Sequence, residues 1–246
     1  YSVKANTNIH ILKLALEEGL NCDAMSVGEI TLLMKAGFPV ERIFFVPNNV
    51  APYELAFALK NGVMTSLDSL SQLELFGEVC NQMEIPPAKR KCAVRINPGV
   101  GAGHHEKVVT GGKKTKFGIA EYSIPQIFEI AEKYQITIAG INQHIGSLFM
   151  DPQPYLDAVT NLLRIAHQFK NLEFIDFGGG YGIPYHKLDD EKEFPMEDFK
   201  SRLEPILDEF VASYGKAPLF KSEPGRYCVA EGSVILGRVH ATKENS

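Results

Sequence analysis

Lys4 stands in "YSVKAN" (Tyr1–Asn6), a charged residue inside an otherwise apolar run. An amine so placed has two readings. It can snorkel to water along its stem, or, held in a desolvated mouth, attack a carbonyl as a Schiff-base nucleophile. "FGGGYGIPY" (Phe177–Tyr185) puts Gly178, Gly179 and Gly180 in one turn. The run does not follow a first strand as GxGxxG, so no dinucleotide site is read. The glycines either reverse the chain or present backbone N–H groups to an anion. "SEPGRY" (Ser222–Tyr227) sets Glu223 before a proline–glycine turn and an arginine. It reads as a surface ion pair, or as an acid aimed at a buried cation with Gly225 and Arg226 taking an anion. "HIGS" (His144–Ser147) offers an imidazole and a hydroxyl, and Asp23 and Arg95 close apolar runs of their own. His104 and His105 are adjacent, so their side chains diverge, and no third ligand is spaced for zinc; no metal is expected.

Such scattered groups need a scaffold that brings them together. Eight short apolar runs are visible: "YSVKA", "NCDAMS", "RIFFVP", "VMTSLD", "KCAVRIN", "IAGINQHI", "EFIDFGG" and "LFKSEPG". They read as strands buried on both faces. Helical patterns lie between them, such as "IHILKLALEEG" and "SVGEITLLMKAG", the latter with Ser26 as N-cap and Glu29 completing a capping box. This alternation predicts the α/β class and closure as a (β/α)8 TIM-type barrel, with an open doubly wound sheet as the alternative. In such a barrel Lys4, Asp23, Arg95, His144, Ser147, Gly178–Gly180, Glu223, Gly225 and Arg226 fall at the C-terminal mouth of the strands, where active sites lie. One connection, Asn97–Gly118, is too long and glycine-rich for a mere link. It reads as a functional loop, with Gly99–Phe117 mobile without substrate.

The 246 residues are 45% hydrophobic and carry a net charge of -5. One sizeable core follows, with no reason to expect nucleic acid or an anionic membrane as partner. No apolar run approaches the ~20 residues of a membrane helix, and no signal peptide is visible. Cys22, Cys80, Cys92 and Cys228 are scattered without a CxxC pair, the usage of a reducing cytosol rather than of a disulfide framework. A cytoplasmic protein is expected. Both ends read as cut: the chain starts inside a strand-like run, and Ser233–Ser246 begins a new β-rich segment.

A lysine for an imine, an acid for a ring nitrogen and a phosphate cradle together suit one cofactor, pyridoxal 5'-phosphate. The chain resembles the barrel-type decarboxylases that use it. The resemblance runs through "YSVKANTN", "CDAMSVGE", "RINPGVGAGHHEKVVTGGKKTKFGI", "HIGS", "DFGGGYGIPY" and "EPGRYCVAEGSVI", in that family's order. It implies that Lys4 binds the cofactor aldehyde and Glu223 pairs with its ring nitrogen. It places His144 against the ring, Asp23 near Lys4, and Arg95 on the ring-hydroxyl side. Ser147, Gly178–Gly180 and Gly225–Arg226 would receive the phosphate or a substrate carboxylate. Lys4, His144 and Glu223 are the catalytic set so implied, with Arg226 also a substrate contact. The long loop is similar to that of the branch acting on meso-2,6-diaminopimelate, which yields L-lysine. Ornithine, arginine or carboxynorspermidine as substrate, or a non-catalytic pyridoxal-phosphate barrel, are the alternatives. Asn142 departs from the family, many of whose members carry histidine there. The resemblance also implies a homodimer for the full-length protein, a barrel over residues 1–226, and residues 227–246 as the start of a truncated C-terminal β domain.

Overall fold

The computed structural model describes residues 1–97, 99, 116–185 and 191–244. Among the described residues seven strands alternate with helices: β1 (Cys22–Ala24), β2 (Ile43–Phe45), β3 (Met64–Leu67), β4 (Lys91–Arg95), β5 (Thr137–Asn142), β6 (Phe174–Asp176) and β7 (Leu219–Lys221). They pair in parallel, in chain order. The helices are α1 (Ile9–Glu17), α2 (Val27–Ala36), α3 (Pro52–Asn61), α4 (Leu70–Gln82), α5 (Ile124–Tyr134), α6 (Gln153–Ala166), α7 (Met196–Tyr214) and the single turn α8 (Arg226–Val229). The first seven are those that the periodicity predicts. Their ends have local causes. Ser26 Oγ accepts from Glu29 N at 3.2 Å, while Glu29 Oε2 reaches back to Met25 N, one residue before the cap. Ser69 caps α4 in the same way.

The first expected strand is a correction. Tyr1–Ala5 is no strand: Ser2 forms one parallel bridge to Asp23, and Val3–Ala5 then turns as a 3-10 helix. Ser2 is nevertheless held on both sides. Asp23 N donates to Tyr1 O at 3.2 Å, and Ser2 N donates to Pro224 O at 3.0 Å, beyond β7. Beyond Ser2 the amides of Ala5 and Asn6 bond back to Ser2 O and Val3 O, so they have none left for a ladder. The fold is an incomplete (β/α)8 barrel, with its eighth stave reduced to one residue.

At the other end Cys228 lies in α8, and residues 230–244 form no strand. Val234, Ile235, Leu236 and Val239 are 78–100% exposed. A β-prone sequence needs a ladder to join, and none of the described residues offers one here. Of the long connection Asn97–Gly118, residues 98 and 100–115 lie outside the described residues.

Alternation along each strand sorts residues to two faces. Cys22, Ile43, Phe45, Leu67, Cys92, Val94, Ile141 and Ile175 pack outward, in the large core under the helices. Inside the barrel a small apolar plug of Phe44, Val46, Ala93 and Phe174 forms, with Met64 against it. Gly140 is required there, because a Cβ would collide with the Phe174 ring. One residue pair further up, the interior turns polar. Arg95, Asn142, Asp176 and Lys221 are neighbours in register across β4–β7.

Candidate active site

The polar layer supports a cavity of about 540 Å3 at the strand C-termini. Lys4, His144, Ser147, Gly180, Glu223, Gly225 and Arg226 all line it, together with Tyr185, and Ala230–Ile235 contributes to its wall. Lys4 reaches it from the 3-10 turn rather than from a strand end, with its side chain exposed. Asp23, Arg95, Gly178 and Gly179 do not line the cavity; they stand behind it.

Glu223 is 7% exposed, and its Oε1 has no hydrogen-bond partner among the described residues. Its backbone N–H donates to Gly178 O at 3.0 Å, which ties it to the glycine turn. Burial pushes its carboxyl upward, the nearby Asp176 charge pushes it further, and Lys4 and Arg95 pull it back. Asp23 is likewise pushed up by burial and then by Glu223, against Lys4 and a 3.0 Å hydrogen bond from Ser2 Oγ. Arg95, 6% exposed, lies 3.8 Å from Asp68 and 4.7 Å above the centroid of the Phe117 ring. Asp68 in turn accepts from Gly118 N at 2.9 Å and from Asn48.

His144 is held well below the ordinary histidine range, first by burial and then by the Lys4 and Arg95 charges. Its Nδ1 accepts from Gly179 N at 3.4 Å, which leaves the ring proton on Nε2 and the imidazole neutral. A neutral ring can lie flat on an aromatic ligand without adding charge to it.

The glycine run is packed more tightly than an open cradle. Gly178 N donates to Asp176 Oδ1 at 2.8 Å, and Gly178 O accepts from Tyr155 Oη at 3.1 Å. A Cβ on Gly179 would run into the Glu223 carbonyl, and one on Gly180 into the Gly146 carbonyl. Of the three, only Gly180 faces the cavity. At the outer wall Arg226 Nη1 donates to Tyr185 Oη at 2.5 Å. Gly225 lets the turn press on the Ser2–Ala5 segment, where a Cβ would sit 3.0 Å from Ser2 and Ala5.

Sequence reasoning passes over Asp176 and the partnership of Asn142. Ser66 Oγ donates to Asn142 Oδ1 at 2.5 Å, and buried Asn142 Nδ2 has no partner among the described residues. The available signal for Asp176 is the one that singles out Lys4, a charge inside an apolar run.

A primary amine, a neutral imidazole, a buried acid with an orphaned oxygen, and a guanidinium beside close-packed glycines therefore converge on one cavity at a barrel mouth. That donor set fits an aldehyde-bearing pyridine phosphate. The family model for the pyridoxal-dependent decarboxylases, pyridoxal binding domain, matches residues 1–230. The chain belongs to that family, and its cofactor is pyridoxal 5'-phosphate. Among curated proteins it is similar to the diaminopimelate decarboxylase of Methanothermobacter thermautotrophicus, 41% identical over the whole chain and 57% of that protein. It is 31% identical to that of Archaeoglobus fulgidus, over 99% of the chain and 58% of the relative. The chain thus spans a little over half the length of these relatives. Among solved structures it is similar to diaminopimelate decarboxylase from Helicobacter pylori complexed with L-lysine, with TM-score 0.84 and 29% identity, covering 94% of this chain and 57% of that one. An arginine decarboxylase of Paramecium bursaria Chlorella virus shares the fold, at TM-score 0.74 and 24% identity over 92% of this chain and 57% of the other.

Proposed function

We propose that this chain is the cofactor-binding part of an enzyme that decarboxylates meso-2,6-diaminopimelate to L-lysine. The observation that carries the reading is the convergence of Lys4, His144, Glu223 and Arg226 on one cavity, in a chain 41% identical over its full length to a protein named diaminopimelate decarboxylase. Pyridoxal phosphate, when bound, supplies an aldehyde for an amine and an electron sink for the bond that breaks.

The chain's own residues would do the rest. Lys4 Nζ would hold the aldehyde until a substrate amine displaces it. Glu223 would keep a proton at the ring nitrogen, where an adjacent carboxylate favours the charged form. His144, neutral, would cover one ring face and exclude water. Ser147, the Gly180 backbone, Gly225 and Arg226 would take the phosphate or a substrate carboxylate, for which a guanidinium offers two parallel hydrogen bonds. Gly178 and Gly179 would act as packing positions behind this cradle. Asp23 would balance Lys4, and Arg95 would offset the carboxylates beneath the ring.

The barrel unit would run over residues 1–226, with 227–246 leading into a further β domain. The exposed Val234, Ile235 and Leu236 would be covered there. A homodimer and a cytoplasmic location complete the proposal; among the described residues no helix is long and apolar enough to cross a membrane. The test is a substrate panel with pyridoxal phosphate present. Lysine release from meso-diaminopimelate, with ornithine and arginine turned over far more slowly, is expected. A preference for ornithine or arginine would overturn the substrate, and no turnover of any of the three by the complete protein would overturn the reaction.

A further inference from the structure

Behind Glu223 stands a second carboxylate to which the roles above give no part. Asp176, 2% exposed, ends β6 between Asn142 and Lys221 in register. It shares a cavity lining with Glu223, close enough for the two charges to act on each other. Asp23, Asp176, Lys221 and Glu223 line one cavity of about 360 Å3, which also reaches Leu20, Glu41 and Arg42 at the outer end. The two acids have unequal support. Asp176 accepts from Gly178 N at 2.8 Å and faces the Lys221 ammonium, which rests 3.8 Å above the Phe174 ring centroid. Glu223 Oε1 has no partner among the described residues. A carboxylate with a donor keeps its charge more readily than one without. The other titratable groups facing the pair are Lys4 from the 3-10 turn, Asp23 from β1, Arg95 from β4, the neutral His144 after β5, the Tyr155 and Tyr181 phenols and the Tyr1 ammonium.

We propose that Asp176 is a positioning residue that keeps a proton on Glu223 and, through Glu223, on the ring nitrogen of bound pyridoxal phosphate. Asp176 remains the ionised partner, and its charge raises the proton affinity of everything beside it. On cofactor binding one O–H bond at Glu223 breaks and one N–H bond at the ring forms. No oxidant or other reactant is needed. The Asp176 charge then holds the Glu223–nitrogen pair in its protonated state to higher pH than Glu223 could alone. Burial raises both acids.

The inference rests on the proposed Glu223 contact, and its test separates the two. Bound pyridoxal phosphate labelled with 15N at the ring is titrated by NMR in the wild type and in Asp176→Asn, which keeps an acceptor for Gly178 N but removes the charge. The ring nitrogen of Asp176→Asn is expected to lose its proton about one pH unit or more below the wild type. Asp176→Glu should return the titration towards it. Identical titrations in wild type and Asp176→Asn would overturn the role. Should the variants not fold, carboxyl 13C titration of the unloaded wild type decides instead. Asp176 must ionise at lower pH than Glu223; the reverse order overturns the inference even where the functional reading stands. A wild type that binds no pyridoxal phosphate overturns that reading, while the carboxyl titration still decides the order of the two acids.

Discussion

Gly179→Ala perturbs the site through one carbon atom. Gly179 has no left-handed backbone to strain, so the cost is steric alone. The added Cβ would fall on the carbonyl oxygen of Glu223, with the carbonyl carbon 2.7 Å away and Pro224 N at 3.3 Å. These are backbone atoms and cannot swing aside as a side-chain tip would. They are also pinned, since Glu223 N is bonded to Gly178 O and Pro224 O receives Ser2 N. Relief must move the Glu223 segment away from the glycine turn, and the carboxylate with it. Overpacking of this kind costs about 1–3 kcal/mol. If that cost falls on the geometry the cofactor selects, affinity for pyridoxal phosphate drops about 5- to 150-fold. Fluorescence titration of the unloaded protein measures it, with far-UV circular dichroism to show that the barrel persists. Gly62→Ala is the control. That glycine sits at φ +73° with nothing within 4 Å of a Cβ. It should lose about 1–2 kcal/mol of stability to strain and leave cofactor affinity alone. Unchanged affinity in Gly179→Ala would refute the argument that the glycine run positions Glu223.

Glu223→Gln should keep much of the cofactor yet slow turnover about 10²-fold or more, because a neutral amide cannot stabilise a pyridinium; turnover equal to the wild type would remove Glu223 from the mechanism. The same variant has a pH signature without cofactor. Glu223 is raised in the folded chain, so relative to acid conditions stability is lost as pH climbs from the ordinary glutamate range, about 4.3, to that raised value. Urea melts should therefore find Glu223→Gln gaining on the wild type as pH rises, with a gap that closes near pH 4; a gap that widens towards acid would contradict the burial argument. His144, held low, works in the opposite sense. Its folded neutral form costs nothing above about pH 6.5 and destabilises as pH falls below that value, so His144→Gln should flatten the acid limb of the stability profile, and an unaltered limb would show that the ring is not buried as described.

Helices α1–α7 were legible because periodicity and caps are local. Ser26 with Glu29 marks a helix start wherever the rest of the chain goes. Pairing is not local, and there the reading strays. "YSVKA" and "SVILGRV" have strand composition, but only Ser2 of the first finds partners on both sides, and none of the described residues pairs with the second. The cavity-lining set could be read because polar residues closing apolar runs are costly unless they gather. Three glycines in a row, in contrast, carry two meanings that composition cannot separate. Only the position of the Glu223 carbonyl shows that Gly179 is needed for packing, and only the Asp176 bond shows where the Gly178 N–H goes. Asp176 escaped notice because its importance comes from register with Lys221 and a cavity shared with Glu223, both products of closing the sheet.

The most direct test of the account is to find where the cofactor is attached. The protein is loaded with pyridoxal phosphate, reduced with borohydride, digested and mapped by mass spectrometry. The adduct is expected on the peptide carrying Lys4, and Lys4→Ala should leave none. An adduct on any other lysine, or one that survives Lys4→Ala, would contradict the assignment of this barrel mouth as the active site.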